Sequence, residues 1–273
     1  MNIEQLGLIK VVDKLDKPHS DWGLKAINAH KVWDKTKGEG VKMLVIDTGM
    51  DVNHKDLKHA FKLGINMFER TTDITDDFGH GTHVAGLIAG LNTGVAPNVD
   101  LYIAKVLNNN GEGSMGSIMD GITFAMNTEV DILCMSLGTP NGLPPILIDR
   151  IEQAYQSGIT IVCATGNNGA DEPQYPAFMD EVIGVGGIDK ELKITPFSNR
   201  GEDILAPSVE VMSTHKDGKY ALMTGTSMAS PIVAGAIALL ISHNRKKGIE
   251  LSPLEVKNII SKYEILDLEK LLN

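Results

Sequence analysis

The chain has 273 residues, and 25 Lys and Arg against 35 Asp and Glu set a formal net charge of −10. That acidity removes the general electrostatic attraction behind binding to nucleic acid or anionic membrane, so neither is expected as a partner. With 42% hydrophobic and 22% charged residues, the sequence can bury a sizeable core, which excludes a disordered or fibrous chain.

The opening stretch MNIEQLGLIKVVDKLDK lacks the long apolar segment of a secretory signal, and no apolar run approaches the length needed to span a membrane. With Met1 taken as the native start, the expected location is cytoplasmic. From residue 41 onward, apolar runs of strand length alternate with helix-period stretches: VKMLVI, GTHVAGLIAGL, VDLYIAKVL, SIMDGITFAM, VDILCMSL, ILIDRIEQAY and ITIVCAT. Strands apolar on both faces suit a parallel sheet covered by helices on each side. The expected fold is therefore α/β, with a mainly parallel central sheet, and the absence of linkers and repeats points to one domain. Glycines follow the strands at Gly49, Gly138, Gly166 and Gly169, where ligand-binding loops of such a sheet belong.

Cys134 and Cys163 lie inside apolar runs and read as small hydrophobes, so no disulfide framework is expected. Further on, VEVMSTHKDGKYALM predicts two strands joined at Asp217-Gly218. The following SMASPIVAGAIALLISHN has helical periodicity, with Pro231 in its first turns, where few amide donors are required. Ser252-Pro253-Leu254-Glu255 is a capping-box pattern, which predicts a helix over 253–263.

Three residues carry the chemistry. Asp47 follows VKMLVI directly, so a carboxylate sits at the carboxyl end of a buried strand. Alone, it would read as a turn former. His80 opens a helix immediately after Gly79, a position from which an imidazole can serve as a base. His83 is placed to pair with it on a metal, but no third ligand is nearby, and a packed structural role is expected. Ser227, in GTSMASP, lies between the hairpin and a helix start, which presents its hydroxyl among backbone amides; alone, it would read as a helix cap. Together, Asp, His and Ser are the acid, base and nucleophile of acyl transfer.

The segments VIDTGMDVNHKDL, GHGTHVAGLIAG and GTSMASPIVAGA around those residues resemble the subtilisin-type serine proteases. KVLNNNGEG, CMSLG, ATGNNG and FSNRGEDILAP follow in the family's order, so the likeness covers roughly residues 22 to 245. The resemblance implies a serine endopeptidase with a catalytic domain over 21–273 after a short N-terminal extension, residues 1–20. It implies that Ser227 attacks the peptide carbonyl, His80 moves the proton and Asp47 supports His80. Asn167 would supply the side-chain donor of the oxyanion hole. Gly111-Glu112-Gly113 and Ser136-Leu137-Gly138 would be the edges that bind an extended protein or peptide substrate as an added strand. Ala164-Thr165-Gly166 would wall the pocket for the residue before the scissile bond. Their small side chains imply broad specificity with a preference for large apolar residues there.

Two departures from the family pattern shape further expectations. Secreted relatives bind calcium tightly in a loop after the catalytic histidine, with help from an aspartate matching Asp56. Here Leu91-Asn92-Thr93-Gly94 leaves too few oxygens for the six to eight that calcium prefers. No cofactor is expected to be required and the strong calcium site is expected to be absent, with Glu202 and Asp203 at most a weak cation site. The extension is also far shorter than a signal peptide plus prodomain and resembles the leader of intracellular subtilisins. Its apolar Leu8-Ile9-Lys10-Val11-Val12 could lie along the substrate edges and inhibit the enzyme, or merely pack on the body. Rival readings are an inactive pseudoprotease that binds peptides in the same cleft, and a peptide ligase or macrocyclase. The intact residue set opposes the first, and no shielding insertion favours the second.

Overall fold

The computed structural model describes residues 7–273; residues 1–6, part of the expected inhibitory extension, lie outside the described residues. Its strands are β1 (Leu8–Val12), β2 (Lys42–Asp47), β3 (Phe61–Asn66), β4 (Asp100–Lys105), β5 (Ile132–Met135), β6 (Thr160–Ala164), β7 (Val182–Ile188), β8 (Ile204–Pro207), β9 (Val211–His215) and β10 (Lys219–Met223). Its helices are α1 (Trp22–Ala26), α2 (His80–Ala89), α3 (Met115–Asn127), α4 (Pro145–Gln156), α5 (Thr226–Arg245), α6 (Pro253–Ile260) and α7 (Leu268–Leu271).

Seven strands form one parallel sheet in the order β3-β4-β2-β5-β6-β7-β8. Strand β2 shows why its sequence is apolar throughout. Met43 and Val45 join the core on one face, and Leu44 and Ile46 join the core on the other. Helices α2 and α5 cover the first face, while α3 and α4 cover the second. From β2 the chain crosses to the edge strand β3 and returns through β4 to the side of β2, then continues from β5 on the opposite side of β2. The order therefore reverses around β2, and the crevice at its carboxyl end is where an open α/β sheet binds ligands.

Strands β9 and β10 form the expected hairpin; His215 pairs with Lys219, and Asp217 and Gly218 take the left-handed positions of the connection at φ +62° and +69°. The hairpin is fastened to α2: Ser213 Oγ donates to His83 O at 2.8 Å and Thr214 Oγ1 to Thr82 O at 2.7 Å. It leads directly into α5, so the helices that begin at His80 and beside Ser227 share one support. Helix α5 is long and apolar enough to cross a membrane by length and composition, contrary to expectation, yet it is almost wholly buried. Its apolarity all round is that of a core helix. Helix α6 ends at Ile260, three residues short of expectation, and Ser252 and Glu255 form the full capping box.

Strand β1 pairs antiparallel with β10, setting Leu8 opposite Met223 and Val12 opposite Tyr220. The extension therefore adds a third strand to the hairpin, and Leu8–Val12 do not lie along the Gly111–Gly113 or Ser136–Gly138 edges. The apolar, β-prone segment satisfies its main chain on the free edge of β10.

Candidate active site

Asp47 is the last residue of β2 and is fully buried. Its carboxylate accepts from the Thr48 amide at 2.7 Å and from His80 Nδ1 at 2.8 and 2.9 Å through its two oxygens. These bonds orient the imidazole with Nδ1 toward the carboxylate. The opposite nitrogen, Nε2, is buried and has no hydrogen-bond partner among the described residues. The close approach needs Gly81, where a Cβ would collide with the carbonyl oxygen of Gly49.

Asp76, which sequence reasoning passed over, holds this corner together. Its Oδ1 accepts from Thr48 Oγ1 at 2.8 Å and the Gly79 amide at 2.7 Å, while Oδ2 accepts from Thr82 N and Oγ1 at 2.8 and 2.6 Å. Thr48 Oγ1 in turn accepts from the Gly81 amide at 2.9 Å. One buried carboxylate thus ties the end of β2 to the start of α2. The available signal was an acidic residue four positions before a helix whose first amides need acceptors.

His83 occupies the structural position expected of it. It is fully buried and its Nε2 lies 3.0 Å from Ala221 O, and burial pushes its pKa down to about 3. The unfolded chain would protonate this residue below the ordinary value of 6.5 while the folded one would not, so its contribution to stability is lost as pH falls from about 6.5 toward 3. Denaturant titrations are expected to show a lower unfolding free energy at pH 5 than at pH 7, part of it removed by replacing His83 with a non-titrating residue.

Ser227 is the second residue of α5 and 5% exposed. Its amide belongs to the first helical turn, which lacks intrahelical acceptors. Its hydroxyl donates to Ser136 O at 3.2 Å, so this rotamer is not the one bonded to His80. Ser136 Oγ returns a bond to Ser227 O at 3.1 Å and sits 2.8 Å from Ser230 Oγ. Pro231 has no amide to offer the carbonyl four residues back, and the Ser136 hydroxyl takes its place. Asn167, just beyond β6, turns its Oδ1 to Thr226 N and Thr226 Oγ1 at 2.8 and 2.9 Å. Its amide nitrogen is thereby the end directed elsewhere.

Ser136, Leu137, Gly138, Ala164, Gly166 and Asn167 line one cleft with Ser227. Thr165 belongs to that segment but turns its side chain away, with Oγ1 3.3 Å from Asn199 O. Gly111, Glu112 and Gly113 follow β4 in a turn closed by Asn108 N to Glu112 O at 2.8 Å and are not among the residues lining this cleft. The cleft is also far smaller than the expected room for a large apolar group. Its volume is about 10 Å³, and Gln174 is among the residues that line it. Sequence reasoning missed this residue.

Both cysteines are free and buried; burial, with the nearby Asp47 carboxylate, pushes the Cys134 thiol up to about 12. Neither is a nucleophile at neutral pH. Asp56 accepts from Asn92 Nδ2 at 2.8 Å, and its buried Oδ2 is the one oxygen with no hydrogen bond among the described residues, while Asn92 O accepts from the His19 amide at 2.9 Å. One spare oxygen does not fit the shell calcium needs. Asp203 accepts from the Gly184 amide at 2.9 Å and lies 3.2 Å from Lys257 Nζ, so a cation would compete with a resident ammonium.

A buried aspartate–histidine pair, with a serine at a neighbouring helix start, is the arrangement that serine hydrolase chemistry uses. Comparison with known proteins agrees. The subtilase family model matches residues 38–263. The chain is 44% identical over 234 residues to an intracellular serine protease of Paenibacillus polymyxa, covering 80% of this chain and 72% of that one. It is 40% identical to the major intracellular serine protease of Bacillus subtilis (82% and 76% covered) and 42% identical to subtilisin DY of Bacillus licheniformis (88% and 89% covered). The chain belongs to the subtilase family, and as a subtilisin-like serine protease it is a hydrolase acting on proteins or peptides.

Proposed function

We propose that the protein is an endopeptidase that works through an acyl-enzyme on Ser227, with His80 as proton carrier and Asp47 as its support. The observation that carries this reading is the buried Asp47–His80 bond, which turns the imidazole so that Nε2, without a hydrogen-bond partner among the described residues, faces away from the carboxylate. Rotation of the Ser227 hydroxyl away from Ser136 O into another staggered well gives Nε2 a proton to accept. His80 then delivers that proton to the leaving amine, and water opens the ester with His80 again as base. The Asn167 amide and the Ser227 backbone amide would hold the carbonyl oxygen as its charge develops. Gly111–Gly113 and Ser136–Gly138 remain the proposed edges for an extended substrate. A fluorophosphonate should label the wild type at Ser227. No labelling would sink the reading and favour a peptide-binding pseudoprotease, and cyclic or ligated products from a simple peptide would favour a ligase.

The names of two relatives support action inside the cell, in the cytoplasm. We also propose that no cofactor or tightly bound calcium is needed, given how Asp56 and Asn92 are occupied. A ligand at 100 times its Kd stabilises by about 2.7 kcal/mol, so stripping such a site would be conspicuous. The expected result is a melting temperature that moves by less than about 2 °C when chelator is added.

Self-inhibition by residues 1–20 gains nothing from Leu8–Val12, which pair with β10. We read this strand as a brace on the hairpin that leads to Ser227. A variant beginning at Asp21 should therefore melt earlier and cleave casein no faster than the full chain. A rise in activity would restore the inhibitory role.

A further inference from the structure

The cleft beside Ser227 has two walls, Ser136–Gly138 after β5 and Ala164–Gly166 at the end of β6, and one chain segment ties them together. The Gln174 amide donates to Thr165 O at 2.8 Å, and Tyr175 exchanges both main-chain bonds with Thr139 at 3.0 Å. Residues 174 and 175 thus form the floor, fixed to both sides. Gln174 is 4% exposed, and its side chain packs upward between the walls. A Cβ on Gly138 would come within 2.7 Å of its Oε1, and a Cβ on Gly166 within 2.8 Å of its Cγ. The two glycines that could admit a substrate side chain instead accommodate this one.

We propose that Gln174 sets specificity by plugging this pocket, so that the preferred substrates carry a small side chain, Ala, Ser or Gly, just before the scissile bond. The inference rests on the protease reading above and refines its substrate class. Size decides the matter. About 10 Å³ remains, the room of one water at most, whereas a benzene ring needs a cavity of roughly 150 Å³. A methyl group can enter the mouth of such a cleft; a phenyl ring requires the glutamine to leave. Its main chain is bonded to one wall and its neighbour to the other, so the backbone cannot retreat to make way. A single methylene changes discrimination in a pocket by roughly 10–200-fold, so a ring against a methyl group should reach at least that range.

The test uses the full-length protein and acyl-peptidyl aminocoumarins that differ only in Ala or Phe before the scissile bond. The expected wild-type result is kcat/KM at least tenfold higher for Ala. Gln174→Gly should raise the Phe-to-Ala ratio about 100-fold, and Gln174→Ala should raise it less. Titration with a fluorophosphonate counts folded sites in each variant, and a merely structural role would alter that count without moving the ratio. Wild type that cleaves the Phe substrate as fast as the Ala substrate would overturn the proposal whether or not the variants fold. An unchanged ratio in a variant that still labels would overturn it too. Failure of wild type to label would overturn the protease reading itself, whereas labelling with the wrong preference sinks only the plug.

Discussion

Ser227→Ala is expected to lower turnover of peptide amides by about 10⁶, the size known for loss of the same nucleophile in subtilisin. The variant should keep its fold. Removing the hydroxyl deletes one bond, 3.2 Å to Ser136 O, and a neutral hydrogen bond contributes only about 1 kcal/mol. The Ser136 hydroxyl still supports the main chain of the first turn of α5 through Ser227 O. Fluorophosphonate labelling should disappear while the melting temperature changes by only a few degrees. Undiminished labelling would move the nucleophile elsewhere, and cleavage within tenfold of wild type would remove the acyl-enzyme from the mechanism.

Asp47→Asn should reduce turnover by about 10⁴, the loss found when the corresponding aspartate of a chymotrypsin-type triad is changed to asparagine. The reason lies in how the carboxylate spends its acceptors. It accepts hydrogen bonds from the Thr48 amide at 2.7 Å and from His80 Nδ1 at 2.8 Å, and it is shielded from water. Asparagine has one acceptor and one donor end. With its oxygen kept on Thr48, the amide donates toward Nδ1 and drives the imidazole into the tautomer that carries its proton on Nε2. That nitrogen can then no longer accept a proton from Ser227. Measured kcat on an amide substrate should collapse with KM nearly unchanged, since the residue does not line the substrate cleft. A loss smaller than tenfold would mean that Asp47 is a structural partner of His80 and no more.

The parts of the protein legible from amino-acid order alone are those written in contiguous residues. An apolar run ending in Asp47 is a buried strand with a carboxylate at its tip, Gly79-His80 is a helix start, Asp217-Gly218 is a hairpin turn, and Ser252 with Glu255 is a cap. Each depends on neighbours within a few positions, so periodicity and turn chemistry suffice to read it. Strand β3, with its mixed polar pattern and only two buried residues, and β7, with three glycines in seven positions, carry weak local signals and emerge only from pairing with β4 and β6. The contents of the site were decided by the fold. Asp76 reaches from one loop to two elements, the Ser227 hydroxyl selects a carbonyl 91 residues away, the Leu8–Val12 strand finds β10, and Gln174 enters a cleft whose walls are set by Thr139 and Thr165. A glutamine between two surface-forming residues gives no local sign of burial. Only the bonds that hold its main chain to both walls send its side chain inward, and those bonds exist once β5 and β6 lie side by side.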